Sequence, residues 1–318
     1  MTNTLAPVPA STPGTQVDRP PAASRRTAAA RSNRVLATFA FPSVIWYIIF
    51  TIGPLFAMFF IAFLSWRSLI STPTWAGWGN FTKFFQDERV GTAFRNTGIH
   101  MLATMPFQTA GAFMIGYFLS LRLPGHRIFR VVLFIPALIS LAQLGTMFTV
   151  VLGSTGLVNS LLVSVGLERF QTAWLADTQT AMISLILVTI WSGTGFNAVL
   201  FSARLGSIDP DVYAAAELDG ANHWQRLWRV AFPISIDYFG VITMLQYLWT
   251  LFGTAGMILI LTQGGPGQAT STLSWLVYRF AFNDSSKLVG YSQAIGVVLF
   301  GLGVIGLGVI RSILRERH

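Results

Sequence analysis

The chain has 318 residues, of which 53% are hydrophobic and only 10% are charged. Soluble domains carry roughly 25% charged residues, so this composition excludes an ordinary water-soluble fold. The net charge of +9 does not indicate nucleic acid binding, because the basic residues are spread along the chain and form no single patch. No cysteine is present, which excludes a disulfide framework or a thiolate metal site.

Residues 1–34 are predicted to form a disordered cytoplasmic tail. They contain five prolines among many Ala, Ser and Thr residues, with too few large apolar side chains to offset the entropy of ordering. The apolar run that follows is far longer than the 7 to 15 residues of a signal peptide core. We therefore expect this run to stay in the membrane.

Six apolar stretches are each long enough to cross a hydrocarbon core of about 30 Å, which needs about 20 residues per helix. They cover residues 35–66, 98–121, 129–152, 180–203, 238–261 and 290–310. Transmembrane β-strands alternate apolar and polar residues, whereas residues 183–190 show no such alternation. The predicted fold is an all-α membrane protein with about six transmembrane helices, in which the transmembrane domain covers residues 35–312.

The distribution of lysine and arginine predicts that both termini lie in the cytoplasm. With that orientation, 14 of the 21 basic residues fall in cytoplasmic segments and 7 fall outside. Cytoplasmic loops of membrane proteins carry such an excess of positive charge.

A polar segment between the fourth and fifth predicted spans, residues 205–233, is predicted to form a cytoplasmic helix-turn-helix elbow. Asp209 has the side chain of a helix N-cap, and Pro210 suits the first helical position. Gly220 supplies the turn between the two arms. The small residues of the first arm favour the close approach of another protein. The elbow would transmit a movement of that protein to the two spans.

The second arm is predicted to be an amphipathic helix over residues 221–230, ended by Pro233. Its apolar face has the i, i+3, i+4, i+7 spacing and consists of Trp224, Leu227, Trp228 and Ala231. Arg226 and Arg229 are predicted to face away from that surface. The second arm would therefore anchor the elbow to its own helix bundle.

The elbow resembles the EAA loop of ABC importer permeases. That loop has the pattern Glu-Ala-Ala, two variable residues, Asp-Gly-Ala, and a hydrophobic stretch that ends in Leu-Pro. Here the pattern is carried by Ala214, Ala215, Ala216, Glu217, Asp219, Gly220 and Ala221, followed by Phe232 and Pro233. Ala214 replaces the leading Glu of the pattern. The resemblance implies that the first seven of these residues couple the chain to an ATPase subunit.

Four further segments, residues 124–137, 153–162, 174–181 and 261–270, are similar to the carbohydrate-uptake branch of that family. Their order resembles the first of two paired permeases of the maltose or glycerol-3-phosphate type. The resemblance covers residues 35–311 and implies a multi-pass protein of the bacterial cytoplasmic membrane. It also implies a second homologous permease, two ATPase subunits and an extracytoplasmic solute-binding protein. The expected solute is a sugar or a sugar-like molecule such as an oligosaccharide, a polyol or a glycerol phosphate.

The chain carries no ATP-binding signature, because neither Lys83 nor Lys287 lies in a GxxxxGK[ST] loop. Within the predicted spans the only charged residue is Arg130, at one end, and His100 also lies near an end, so no proton relay is indicated. Both observations favour energy from a partner. The alternative is a self-contained secondary carrier, since a sodium site built from backbone carbonyls needs no charged side chain.

No catalytic, metal or cofactor site is predicted. The four histidines are dispersed over different segments, and the acidic residues cluster only in the elbow. A membrane enzyme would need grouped nucleophiles, acids or metal ligands, so the pattern is against that class.

A sugar path needs neutral hydrogen-bonding groups and aromatic faces at mid-span. The candidates for the substrate path are Phe196, Asn197, Gln246, Trp249, Thr250, Gly253 and Thr254. Polar groups in membrane helices also hold helices together, so each candidate has a purely structural alternative. Gln108 and Gln143 are predicted to serve only as such interhelical partners.

Overall fold

The structure is a computed structural model that describes residues 41–68, 70–283 and 288–315. The predicted tail, residues 1–34, lies outside the described residues, as do residues 35–40 of the first predicted span. The described residues fall into two units, whose boundary lies between Phe56 and Ala57.

The described part of the chain is mainly α-helical. In chain order its helices are α1 (Phe41–Ile61), α2 (Gly79–Gln86), α3 (Glu88–Pro106), α4 (Ala112–Ser120), α5 (His126–Leu138), α6 (Leu141–Val151), α7 (Leu157–Ser164), α8 (Ala181–Leu205), α9 (Pro210–Leu218), α10 (His223–Gln225), α11 (Phe232–Ile234), α12 (Ile236–Leu261), α13 (Leu273–Tyr278) and α14 (Val289–Arg315). Two short antiparallel strands, β1 (Leu64–Ser65) and β2 (Thr74–Trp75), pair between α1 and α2.

Short irregular helical turns interrupt or extend this pattern. A 3₁₀ turn covers Glu168–Phe170, and π-helical turns cover Ile48–Ile52, Phe107–Gly111, Arg226–Ala231 and Arg279–Asn283. The π-helical turn within α1 is followed by Gly53, whose backbone N–H donates to the Ile48 carbonyl. Pro54 comes next and has no backbone N–H to donate.

Among the described helices, α1, α8, α12 and α14 are long and apolar enough to cross a membrane. A fifth span is obtained if α5 and α6 are taken together. The second predicted span, 98–121, is not among them. It falls on α3 and α4, which a π-helical turn separates, and α3 begins in a charged segment that includes Glu88 and Arg89.

The third predicted span, residues 129–152, is broken into two helices, α5 and α6, which meet at 99°. Ile139 is extended, with φ −80° and ψ 131°, and Ser140 then caps a new helix. The Gln143 side chain accepts a hydrogen bond from the Ser140 backbone N–H at 3.3 Å, completing a capping box. Gln143 was predicted to bridge two helices, but its hydrogen bonds stay within this cap.

Glycines set the close packing of α4 and α5 against α8. A Cβ atom at Gly116 of α4 would lie 2.8 Å from the Ala198 carbonyl oxygen of α8, and one at Gly195 of α8 would overlap the Leu133 carbonyl of α5. Small residues let membrane helices approach closely enough for backbone contact. As a result, α8 packs closely against both α4 and α5.

Candidate functional site

A cavity of about 610 Å³ is lined by residues of α5, α6, α8 and α12 together with Gln108 and Ile139. All seven residues predicted for the substrate path line it: Phe196, Asn197, Gln246, Trp249, Thr250, Gly253 and Thr254. The first two come from α8 and the other five from α12. The fold therefore brings together two groups of residues that lie about 50 positions apart in the sequence.

The wall of this cavity is mainly apolar, with a small number of neutral polar groups. Its apolar part includes Pro136, Ile139, Leu141, Leu144 and Met257. The described residues that line it include no charged side chain. Ligand pockets of this size typically combine an apolar wall with a few polar groups that fix orientation.

Three amide side chains form a hydrogen-bonded cluster on the inner side of the cavity. Asn197 Nδ2 donates to Gln246 Oε1 at 3.1 Å and to the Gln108 backbone carbonyl at 2.8 Å. Gln246 Nε2 donates to Gln108 Oε1 at 2.5 Å and to Thr250 Oγ1 at 3.3 Å. Asn197 and Gln246 are buried, and the cluster joins the helices on either side of the cavity.

Gln108 belongs to this site, although the sequence indicated only a helix-packing role for it. Its Nε2 atom donates to the Thr189 carbonyl at 2.7 Å, and its side chain fits against Gly193, where any Cβ would collide with it. Gln108 lies in the π-helical turn after α3, a type of irregularity that is frequent at functional sites. The only signal in the sequence was a polar amide at mid-span.

Aromatic side chains flank the open side of the cavity. Trp249 is 70% exposed and Phe196 is 42% exposed, whereas Thr250 and Thr254 are buried. Phe196 also stacks on Phe134 of α5, with ring centres 6.0 Å apart. The site thus has hydrogen-bonding groups on its inner side and aromatic faces towards its opening.

The first arm of the elbow is the exposed helix α9. Asp209 caps it by accepting a hydrogen bond from the Asp211 backbone N–H at 3.0 Å, and Pro210 is its first residue, as predicted. Gly220 follows in a left-handed conformation, with φ +80°. No residue of α9 is buried, and Leu218 is 90% exposed. This arm therefore presents a small, open surface.

The second arm begins later than predicted and is less regular. Asn222 and Gln225 form a capping box, so the helix starts at His223 and not at 221. It passes through a π-helical turn and ends at Ile234, one residue beyond Pro233. Of the predicted apolar face, Leu227 and Ala231 are buried and Trp228 is half-buried, but Trp224 is 57% exposed.

The predicted orientation of Arg226 is wrong, whereas Arg229 is exposed as expected. Arg226 is buried, and its Nη1 atom lies 3.0 Å from Glu217 Oε2 of the first arm. Its Nη2 atom is 3.3 Å from His223 Nδ1. A buried guanidinium needs such a carboxylate partner, which the helical periodicity of the second arm alone does not reveal.

Two tyrosines form another contact between the elbow and the bundle. Tyr213 of α9 lies against Tyr117 of α4, with ring centres 6.3 Å apart. Burial, and to a smaller extent the nearby Tyr117, raises the pKa of Tyr213 to about 12. Tyr213 is therefore protonated at neutral pH.

Comparison with known proteins relates this architecture to membrane transport. Residues 108–317 match the family described as binding-protein-dependent transport system inner membrane component. The probable ABC transporter permease protein YurN of Bacillus subtilis is 30% identical over 82% of this chain and 89% of its own length. The diacetylchitobiose uptake system permease protein NgcF of Streptomyces coelicolor is 27% identical over 81% of this chain and 76% of its own length.

Among solved structures, a bacterial ABC transporter involved in the import of the acidic polysaccharide alginate has the same fold. The alignment has a TM-score of 0.78 at 20% identity and covers 92% of this chain and 99% of that one. The family match spans well over half of the chain. The chain therefore belongs to the family of binding-protein-dependent transport system inner membrane components, and it is a permease subunit of an ABC importer.

Proposed function

We propose that this permease subunit forms half of a translocation path for a neutral sugar or sugar-like solute. The observation that carries the proposal is the cavity, which combines amide and hydroxyl groups with the exposed ring of Trp249. Sugar hydroxyls need oriented hydrogen-bonding partners, and sugar rings offer apolar faces to aromatic side chains. A phosphate-bearing solute would favour cationic partners, which the described lining residues do not provide.

The names of the relatives support a carbohydrate substrate. NgcF is named as a permease for diacetylchitobiose uptake, and MsmF of Streptococcus mutans as part of a multiple sugar-binding transport system. The substrate class proposed for this chain includes oligosaccharides, polyols and glycerol phosphates, with a neutral sugar favoured by the cavity. The seven residues predicted for the substrate path, which include Phe196 and Thr254, would line the path of this solute.

A second, homologous permease would complete the path. Trp249 and Phe196 leave large apolar areas exposed beside the cavity, and exposed apolar surface of this kind favours a protein partner or lipid. In the proposed assembly, the second permease covers this side. The solute then passes between the two subunits.

Energy would come from two separate ATPase subunits that bind the elbow. The exposed arm α9 carries Ala214, Ala215, Ala216 and Glu217, with Asp219, Gly220 and Ala221 at its end. An extracytoplasmic solute-binding protein would deliver the substrate. Such a partner is supported by a second solved structure of similar fold, a bacterial alginate ABC transporter in complex with an alginate pentasaccharide-bound periplasmic protein.

The proposed topology has six spans with both termini in the cytoplasm of a bacterial cell. The combined segments α3–α4 and α5–α6 would complete the set begun by α1, α8, α12 and α14. Residues 1–34 would form a cytoplasmic tail, residues 35–312 the permease domain, and residues 205–233 the coupling loop within it. The positive-inside distribution of arginine supports this orientation.

Reconstitution in liposomes tests the proposal. The transporter, purified with its partner permease and ATPases, should accumulate a sugar only with ATP inside and the binding protein outside. A radiolabelled neutral oligosaccharide is the probe, with a phosphorylated sugar as competitor. Uptake driven by an ion gradient through the purified chain alone would contradict the proposal and favour a secondary carrier.

A further inference from the structure

The two arms of the elbow are joined by an ion pair that crosses the turn at Gly220. Glu217 Oε2 lies 3.0 Å from Arg226 Nη1, and the residues are nine positions apart. The carboxylate is largely exposed, with 70% of its side chain accessible, whereas only 10% of the arginine side chain is accessible. The pair thus has one end in solvent and one end inside the protein.

This asymmetry ties Glu217 to Arg226. A surface carboxylate is readily solvated when it leaves its partner, but a buried guanidinium without a counter-charge is strongly destabilised. Among the described residues, Arg226 forms no other ion pair. Its Nε atom has no hydrogen-bond partner. Movement of Glu217 away from the second arm would therefore leave a buried charge uncompensated.

The second arm is in turn fixed to the transmembrane bundle. Leu227 and Ala231, on either side of Trp228, are fully buried. Phe232 packs edge-on against Phe113 of α4 at 5.8 Å and against Phe239 of α12 at 5.2 Å. Motion of the second arm is therefore transmitted directly to α4 and α12, and α12 carries eight of the residues that line the cavity.

A second bridge lies beside the ion pair. Tyr213 of the first arm contacts Tyr117 of α4, and the hydroxyl groups of both are buried without a hydrogen-bond partner. The aromatic contact gives the first arm a second attachment, but it offers no charge to hold Arg226. The ion pair is thus the polar link between the arms.

We propose that the Glu217–Arg226 ion pair is a brace that makes both arms of the elbow move as one body, so that Glu217 is a positioning residue and not a contact to the ATPase. The inference rests on the proposed coupling role of the elbow. It also bears on Ala214, which stands where the family pattern has Glu. Glu217 lies about one turn further along α9 and does not replace that acid as an ATPase ligand, because Arg226 holds it.

A double-mutant cycle in the reconstituted transporter tests the brace. The variants are Glu217→Gln, Arg226→Met and the two combined, with Glu168→Gln as a control at an exposed acid outside the elbow. Solute transported per ATP hydrolysed is the readout. We expect each single variant to lower this ratio at least about threefold, and the combination to lower it no further, because both remove one interaction.

Additive effects, or a wild-type ratio in Glu217→Gln, would overturn the brace. A wild-type ratio in Glu217→Gln would overturn the brace even if Arg226→Met does not reach the membrane. Glu217 is exposed, so its substitution disturbs no packing. If Glu217 instead contacts the ATPase, Glu217→Gln will weaken copurification of the ATPase while Arg226→Met will not, and the proposal is then wrong. Failure of the proposed function is distinguishable, because the wild-type complex would then show no ATP-driven uptake.

Discussion

The side-chain amide of Asn197 in α8 donates a hydrogen bond to Gln246 Oε1 in α12, at 3.1 Å. Both residues line the same cavity, and both also bond to Gln108. The polar groups that face the proposed path therefore also link the two helices that form the cavity walls. A change in the separation of α8 and α12 must alter these hydrogen bonds and the shape of the cavity together.

Replacement of Gln246 by leucine tests this shared role. Gln246→Leu removes the hydrogen bonds to Gln108 and Thr250 and one of the two made by Asn197. We expect a loss of about 1 kcal/mol in stability, measured as a lower melting temperature in detergent, together with reduced uptake. Thr243→Val is the matched control, because its hydroxyl bonds only within α12. Equal effects of the two variants would contradict the prediction.

Loss of the exposed indole should weaken substrate recognition. Trp249→Ala removes the largest aromatic face at the cavity opening. We expect a rise of about two- to tenfold in the solute concentration for half-maximal uptake, since aromatic contacts contribute about 0.5 to 1.5 kcal/mol. Trp75→Ala, at a tryptophan of similar exposure outside the cavity, should leave this concentration unchanged. A change in maximal rate alone would argue against a binding role.

The turn of the elbow depends on the backbone conformation of Gly220. Its φ of +80° is strained for most side chains, although no residue other than its two chain neighbours lies within 4 Å of where a Cβ would be. We expect Gly220→Val to abolish most ATP-driven uptake, since the left-handed conformation costs about 1 to 2 kcal/mol for such a residue. Gly220→Asn should retain uptake, because asparagine tolerates this conformation. Immunoblots of membranes confirm equal amounts of each variant, and equal uptake by both would contradict the prediction.

Asp87 stabilises the N-terminal end of α3. Its side chain caps the helix, pairs with Arg89 at 2.8 Å and accepts a hydrogen bond from the Tyr291 hydroxyl at 2.9 Å. Asp87→Asn keeps a good capping side chain but removes the charge that pairs with Arg89, so we expect it to lower the free energy of unfolding by about 1 kcal/mol at neutral pH. The melting temperature checks this, with Glu88→Gln, at the exposed neighbouring acid, as the control.

The same carboxylate gives this stabilisation a pH dependence. Burial alone raises the pKa of Asp87, but hydrogen bonds from Arg89 and Tyr291 outweigh it and leave the pKa below the ordinary value of 3.8. A depressed pKa stabilises the folded state above the unfolded pKa, and this stabilisation is lost as pH falls through the folded pKa. The advantage of the wild type over Asp87→Asn should therefore shrink only below about pH 4. A difference that vanishes already near pH 6 would contradict this assignment.

Signals contained within a few residues were predicted from the sequence. The cap at Asp209, the start at Pro210 and the turn at Gly220 agree with the structure because each depends on local backbone geometry. The limits of α8 and α12 also agree within two residues of the predicted 180–203 and 238–261. Apolar length determines such spans directly.

The bend between α5 and α6 was missed for a definite reason. Apolar composition continues through residues 129–152, so hydropathy does not distinguish one helix from two. The Ser140 and Gln143 capping box is a local signal that begins a new helix without changing the average hydropathy. A capping box inside an apolar run therefore marks such a bend.

The sequence by itself determined an α-helical membrane protein, its main spans and the elbow, because apolar length, capping and turn chemistry act over short distances. Only the tertiary structure decided that Gln108 joins Asn197 and Gln246, and that Arg226 points inward to Glu217. Both depend on side chains from separate segments. The burial of a polar or charged group is favourable only where such a partner exists, and helical periodicity does not state where the partner lies.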